Sequence, residues 1–249
     1  MYALENFTIE KDTPIPLYFQ LKKALLDHIA SGRLKEGEML PTENEICDYL
    51  EVSRSTVRQA MSELVAEGYL VRKKGKGTFV SHPKIAARFL QKLETFAEEM
   101  RQKGLKPSTV VLTQKKIQGA DQINAKLELS SDEPLIMLSR VRYADDVPMV
   151  YLDTYIPYSL YPAMLEVDFK EISLYDALEN LYNLRISHVV REIEAVNATR
   201  REAELLEIEG GRALCLVKTI GYSEKGQPTE FSIARYRGDR TKFSVELYR

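Results

Sequence analysis

The chain has 249 residues, 44% of them hydrophobic and 29% charged, with a formal net charge of −2. That balance is globular and sufficient for one large domain or two ordinary ones, and it excludes a wholly disordered chain and a uniformly basic nucleic-acid protein. No apolar run approaches the roughly 18–20 residues of a spanning helix, and the opening MYALENFTIEKDTPIP lacks the charged-then-apolar pattern of a signal peptide.

Only two cysteines (Cys47, Cys215) and three histidines (at 28, 82 and 188) occur, too scattered for a disulfide framework or a zinc site. A cytoplasmic, reducing setting is expected, with no metal, no cofactor and no membrane. After Pro14 and Pro16, Leu17, Leu21, Leu25 and Ile29 recur at every fourth residue and predict a helix that Gly32 ends. The turn LKEGEMLP leads to TENE, where Thr42 and Glu45 are spaced for a capping box. Ile46, Tyr49 and Leu50 then mark the buried stripe of a short second helix. Beyond Glu51 and Val52, Ser53 offers another cap, and Val57, Ala60, Met61, Leu64 and Val65 give helical spacing up to Gly68. Two short helices joined by a tight turn predict a helix-turn-helix. Arg54, Ser55, Arg58 and Gln59 point away from the stripe. Arginine suits guanine O6 and N7 in a major groove, and short hydroxyls suit phosphates or base edges.

The next stretch, RKKGKGTFV (Arg72–Val80), joins the strands YLVRK and GTFVS and reads as the tip of a hairpin, a wing. It is not a nucleotide-binding loop, which needs Lys-Ser/Thr after the last glycine and a helix behind it. The flanking strands argue against an unstructured basic tag. From Ser53 to Val80 the cations Arg54, Arg58, Arg72, Lys73, Lys74 and Lys76 face only Glu63 and Glu67. A net-negative chain thus carries a local cationic excess, the footprint of phosphate binding. Gly75 and Gly77 allow a tight tip and close backbone approach.

The segment from Pro14 to Ser81, with its P-L-Y-x-Q, G-x-L-P-like, S-R-S-T-V-R-x-A, L-x-x-E-G and G-x-G-T-F-V strings, resembles the winged-helix domain of GntR-family bacterial transcription regulators. The resemblance implies DNA contacts from Arg54 and Arg58, from Ser53, Ser55 and Thr56 at the helix start, and from Gly75 at the wing tip with Lys74 and Lys76 beside it. Family members often carry arginine after the glutamate that opens the second helix. This chain has Asn44 there, so a different operator preference is expected.

A polar connection around Ser81–Lys84 precedes a predicted helix over roughly Ile85–Lys103. PLIMLSRVRYAD and DVPMVYLDTYIP then read as a hairpin turning near Asp145–Asp146. A helix at SLYDALENLY, a strand at ISHVVREIEAVNA, a helix at RREAELLEIE and two closing strands turning at EKGQ follow. Strands joined by short turns with interspersed helices predict an α+β domain on an antiparallel sheet. No nucleophile motif, His/Cys cluster or dinucleotide-binding glycine pattern is present, so no catalytic residue is proposed and an enzyme is not expected. Arg140 and Arg142 share one strand face, a pairing that suits an anionic ligand, and Glu230, Ser232, Ala234 and Tyr236 share another.

This half resembles, over about residues 90–245, the UTRA effector domain of the HutC subfamily, whose fold is like that of chorismate lyase. LETFAEEMRQKG, LSRVRYADDVPM, SLYDAL and YRGDR carry the likeness. It implies a winged helix-turn-helix DNA-binding domain at 1–81, a linker at 82–90, and an effector-binding and dimerisation domain at 91–249. It further implies a homodimer on a palindromic double-stranded operator and a small anionic effector. Similarity to repressors of amino-sugar utilisation points to a phosphorylated sugar such as glucosamine 6-phosphate or N-acetylglucosamine 6-phosphate. The pocket residues implied are Thr95, Phe96, Arg140, Arg142, Ser173, Tyr175, Glu230 and Tyr236. Arg140, Ser173, Tyr175 and N–H groups near Thr95 would hold phosphate, and Glu230 would accept from sugar hydroxyls. Leu152 stands where the family has a pocket glutamate, and Asp153 would replace it only if a bulge shifts the strand. A lyase-like or sugar-phosphate enzyme, a non-sugar effector, and activation instead of repression are the competing readings.

Overall fold

The structure is a computed structural model that describes residues 9–87 and 92–246. It divides into two compact units, Met1–Lys84 and Ile85–Arg249. The first contains helices Leu17–Ala30 (α1), Glu43–Leu50 (α2) and Arg54–Glu67 (α3) and the hairpin strands Leu70–Lys73 (β1) and Gly77–Val80 (β2). Leu21, Leu25 and Ile29 of α1 meet Ile46 and Leu50 of α2 and Val57, Ala60, Met61 and Leu64 of α3 in one core. Each fully buried side chain of this kind contributes about 1.5–3 kcal/mol. Thr42 and Glu45 form the expected capping box on α2, and Ser53 caps α3. Such a cap is worth about 1 kcal/mol over alanine. Gly68 ends α3 at φ +85°, and a Cβ there would lie 3.1 Å from the Pro83 backbone. The Glu38–Leu40 segment adds to β2 through Val80 N–H to Glu38 O and Leu40 N–H to Thr78 O, both 2.9 Å.

The second unit is a six-stranded antiparallel sheet with helices on both faces. Its elements are Ile85–Ala87 (β3), Phe96–Gln102 (α4), Pro107–Ile117 (β4), Asp121–Lys126 (α5), Leu135–Ala144 (β5), Val147–Pro157 (β6), Leu174–Tyr182 (α6), Ile186–Asn197 (β7), Arg200–Leu206 (α7), Ala213–Ser223 (β8), Pro228–Arg237 (β9) and Thr241–Phe243 (β10). The strand order is β4-β5-β6-β9-β8-β7, and β3 pairs in parallel with β10 apart from the main sheet. Asp145 and Asp146 both take positive φ (48° and 64°), as a two-residue hairpin turn requires. On one face, α6 packs Leu174, Ala177 and Leu178 against Ile136, Leu138 and Ile156. Phe96 of α4 packs on the same face, against Leu152, Val217 and Ala234. On the other, α7 packs Ala203 and Leu206 against Val141, Tyr151 and Leu214.

The helix expected over Ile85–Lys103 is corrected. Residues 85–87 form β3, anchored by Ile85 N–H to Arg240 O at 2.7 Å, and the helix begins only where the Thr95–Glu98 capping box starts it. Residues 88–91 of that expectation lie outside the described residues. Strand β4 and helix α5 had no counterpart in the sequence reading.

Candidate functional site

Helix α3 turns Val57, Ala60, Met61 and Leu64 inward and leaves Arg54, Ser55, Arg58 and Gln59 exposed. Ser53 accepts the Thr56 N–H at 3.2 Å, and its hydroxyl lies 2.8 Å from those of both Ser55 and Thr56. The three hydroxyls therefore cluster at the helix start. Arg54, Arg58, Lys74 and Lys76 are exposed and form no ion pair with a described residue. The neighbouring carboxylates are engaged elsewhere: Lys22 of α1 holds Glu63 at 3.0 Å and Glu67 at 2.5 Å. Arg72 reaches Glu43 on α2 at 2.8 Å and Ser62 on α3 at 3.4 Å, fixing the wing strand beside both helices. At the tip, Lys76 N–H bonds Lys73 O at 2.9 Å, with Gly75 at φ +71°. The arrangement presents cations that have no ion pair among the described residues on a helix start and a hairpin, as gripping a polyanion requires. Asn44 is exposed in the first turn of α2.

In the second unit, all eight residues expected of the pocket line one cavity of about 110 Å³. A second cavity of about 350 Å³ shares Thr95, Phe96, Arg140, Arg142 and Ser173 with it and extends to Arg101 and Lys170. Register brings the strand groups together, because Arg140 pairs with Leu152 and Leu152 with Ala234. The arginines and the Glu230–Tyr236 series therefore occupy a single face of the sheet.

Arg140 is only 1% exposed. Its Nη2 donates to Thr154 Oγ1 at 3.4 Å, and its Nε has no hydrogen-bond partner among the described residues. The Arg140 guanidinium lies 5.5 Å from the Phe169 ring centre, and that of Arg142 5.7 Å from Phe96. Burial first, and then the charge of Arg142, push Arg140 well below its usual range; burial lowers Arg142 as well. A guanidinium keeps its proton even so. The desolvation cost stands as attraction for an anion.

Glu230 accepts the Tyr175 hydroxyl at 3.0 Å, while its Oε2 has no partner among the described residues. Burial raises this carboxyl to about 7, against the hydrogen bonds of Tyr175 and Ser232 and the charges of Arg191 and Arg140. Burial also raises Tyr175, and lifts Tyr236 to about 12. Thr95 and Ser173 have capping roles. Thr95 N–H donates to Glu98 Oε2 at 2.9 Å, so that amide is already engaged. Ser173 Oγ accepts the Asp176 N–H at 3.1 Å and donates to Asp176 Oδ2 at 2.6 Å.

Sequence reasoning missed Arg191, Thr219 and Thr154 as cavity residues. With Ser232 they form one row across β7, β8, β9 and β6. Leu152 lines the cavity, and the pairing from Val150 to Tyr155 is unbroken, so no bulge presents Asp153 there. Asp153 instead accepts from Ser139 (2.5 Å), Tyr151 (2.9 Å) and Arg235 (2.8 Å) on the opposite face. Among the described residues no group of three or more His, Cys, Asp or Glu could hold a metal ion, and no helix is long and apolar enough to cross a membrane.

Residues 17–80 match the model of the bacterial regulatory proteins of the gntR family, and residues 102–242 match that of the UTRA domain. The HTH-type transcriptional repressor NagR of Bacillus subtilis (strain 168) is 37% identical over 94% of this chain and 96% of its own length. The probable fructoselysine utilization operon transcriptional repressor of Escherichia coli (strain K12) is 31% identical over 92% of this chain and 94% of its own. PhnF from Mycobacterium smegmatis, a solved structure, is similar at a TM-score of 0.71 and 27% identity, over 91% of this chain and 98% of that one.

Proposed function

Because this chain belongs to the GntR family of bacterial transcription regulators, in its HutC subfamily with a UTRA effector domain, we propose that a phosphorylated sugar releases it from its operator. Such chains are DNA-binding regulators and not enzymes. The amino-sugar phosphates glucosamine 6-phosphate and N-acetylglucosamine 6-phosphate are the first candidates. One observation carries this reading: a single cavity joins the buried, incompletely bonded Arg140 and its neighbour Arg142 to the Glu230–Tyr175 pair. The arginines suit a phosphate monoester of charge about −1.5 to −2, and Glu230 with Tyr175 suits hydroxyls.

On the DNA side, Arg54, Ser55, Thr56 and Arg58 would enter the major groove, with Ser53 holding the helix start. Lys74, Gly75 and Lys76 would lie against phosphates and the minor groove. The protein would act in the cytoplasm as a homodimer, each protomer reading half of a palindrome. Coupling between sites requires an effector to favour one arrangement by about 1–3 kcal/mol. A line of contacts supports it: cavity-lining Glu99 pairs with Lys103 at 2.5 Å, and Lys103 donates to Ala86 O at 2.6 Å in β3, just after Lys84.

Two measurements test the reading, a thermal-shift screen of sugar phosphates and anisotropy with the protein's own upstream DNA. A ligand at 100 times its Kd stabilises by about 2.7 kcal/mol, and the same ligand should lower operator affinity. Absence of any shift at millimolar sugar phosphate, or a shift with unchanged operator affinity, would remove the proposal.

A further inference from the structure

The sheet of the second unit has two outer strands, and they end it in different ways. Strand β4 carries devices that keep an edge single. Pro107 opens it, its pairing shifts between Val111 and Thr113, and Lys115 and Lys116 stand exposed along it. Strand β7 has neither proline nor lysine, and from His188 to Asn197 it pairs with β8 without a break. No described strand pairs with its outer side. Val190 and Ile193 on it are 50% and 43% exposed. An unbroken, partly apolar edge of this kind offers its backbone N–H and C=O groups to another strand.

The side chains of β7 identify the partner. Arg191 lines the cavity, so His188, Val190 and Glu192 share the opposite face of the sheet. Lys218 stands opposite Glu192 in register but is held by Glu194 at 2.6 Å. Glu192 is exposed and forms no ion pair with a described residue. The exposed His188 stacks on Tyr222, 4.6 Å between ring centres, which fixes its ring on this face. With an imidazole two residues before Val190 and a carboxylate two after it, the strand is self-complementary. In an antiparallel pair of two copies about a twofold axis at Val190, each His188 faces the partner's Glu192, and Val190 faces its own copy. A centre on Arg191 or Glu192 sets that residue against itself, and one on Ile193 sets Glu192 against Glu194. Like charges directly opposite destabilise a strand pair.

We propose that β7 is the seam of the homodimer, two copies joining edge to edge about Val190 so that their six-stranded sheets become one continuous sheet. The proposal rests on the homodimer of the reading above and names the surface that forms it. Cavity and seam then share a strand, because Arg191 lines the one and β7 forms the other.

Sedimentation of the ligand-free full chain and its variants is the first test. Wild type should be a dimer at micromolar concentration. Val190→Lys sets like charges opposite, and His188→Glu turns two attractive pairs into repulsive ones. Each should raise the dimer dissociation constant at least about tenfold. His188→Glu combined with Glu192→Lys should return it to within about threefold of wild type, which a merely structural role for either residue would not do. Cross-linking then fixes the register. Residues that face themselves across the axis have Cα atoms about 4.5–5.5 Å apart, within disulfide reach, so mild oxidation should link Val190→Cys into a covalent dimer. Ile193→Cys lies about 20 Å from its own copy in this register and should link no more than wild type does. A dimer that Val190→Lys leaves intact, a double exchange that fails to restore it, or linkage of Ile193→Cys as complete as that of Val190→Cys overturns the proposal and leaves the homodimer standing. A wild type that is monomeric both free and on operator DNA removes the homodimer as well. Should Val190→Lys not fold, the charge exchange and the Val190→Cys linkage decide.

Discussion

Glu230→Gln should make the effector domain more stable, and by an amount that grows with pH. The carboxyl is 2% exposed, and burial lifts it from 4.5 to about 7. At 1.36 kcal/mol per unit, that difference corresponds to about 3 kcal/mol. The folded state holds the proton more tightly than the unfolded chain does. Stability therefore falls as pH rises from about 4.5 through 7, and above 7 the whole penalty is in force. Tyr175, Ser232, Arg191 and Arg140 face the carboxyl, and the tyrosine, raised from 10, does not titrate in this window. Glutamine cannot ionise, yet its carbonyl still accepts the Tyr175 hydroxyl. The variant should exceed wild type by only about 1 kcal/mol near pH 5 and by up to about 3 kcal/mol at pH 8, the latter roughly 6–12 °C in Tm for a domain of this size. Calorimetric melts of both ligand-free proteins in steps from pH 5 to 8 measure the difference. A gap that stays constant with pH, or a less stable variant at pH 8, would refute the reasoning.

Arg58→Ala should cost about 1–3 kcal/mol on the cognate operator and blunt discrimination, whereas Lys76→Ala should weaken all DNA alike and reduce the salt slope by about 1. Anisotropy over a salt series separates them, and equal loss on every sequence with Arg58→Ala would assign Arg58 to phosphates. Arg142→Ala should abolish the thermal shift given by sugar phosphates while operator binding persists; an undiminished shift would move the anion elsewhere. Arg235→Met leaves Asp153 and Glu202 without the cation that bridges them at 2.8 and 2.9 Å. Chemical denaturation should show a loss of about 3–5 kcal/mol, and a loss below 1 would mean the network contributes little. Lys103→Met should leave effector binding in place but weaken operator release; unchanged release would show that the Glu99–Lys103–Ala86 line carries no coupling.

The helices of the first unit were legible because each carries both a period and a start signal: Leu21, Leu25 and Ile29 in register, Thr42 and Ser53 as caps. The wing and the Asp145–Asp146 turn were legible for the same local reason. Residues 85–87 were not. Ile-Ala-Ala is compatible with a helix, and only the distant partner Thr241–Phe243 draws it into a strand. Strand β4 escaped because its polar second half, TQKKI, lies at a sheet edge and lacks clear alternation. The eight pocket residues came from a family likeness, but the meeting of Arg140, Arg142, Glu230 and Tyr236 on one face depends on long-range register. Arg191 shows the limit best. The pairing of β7 with β8 shifts between Ile186 and His188, and a one-residue shift decides which face every later side chain takes. ISHVVREIEAVNA mixes polar and apolar residues on both faces and cannot reveal that phase.

The two units hold their charges in opposite ways, and the difference follows from what each would recognise under the proposed function. Arg54, Arg58, Lys74 and Lys76 stay in water, free of ion pairs with described residues. Their desolvation is deferred until a polyanion arrives, and their attraction is long-ranged and sensitive to salt. A small ligand offers only a few contacts, so each must act where water does not screen it. Arg140 and Glu230 are accordingly buried, each with an atom that finds no partner among the described residues. The DNA surface therefore costs the fold little, whereas the cavity lowers the stability of the unit that carries it. Stability and response should oppose each other at Glu230 and be independent at Arg58. A substitution that silences the cavity by removing its buried carboxyl raises the melting point, and one that silences the recognition helix leaves it where it was.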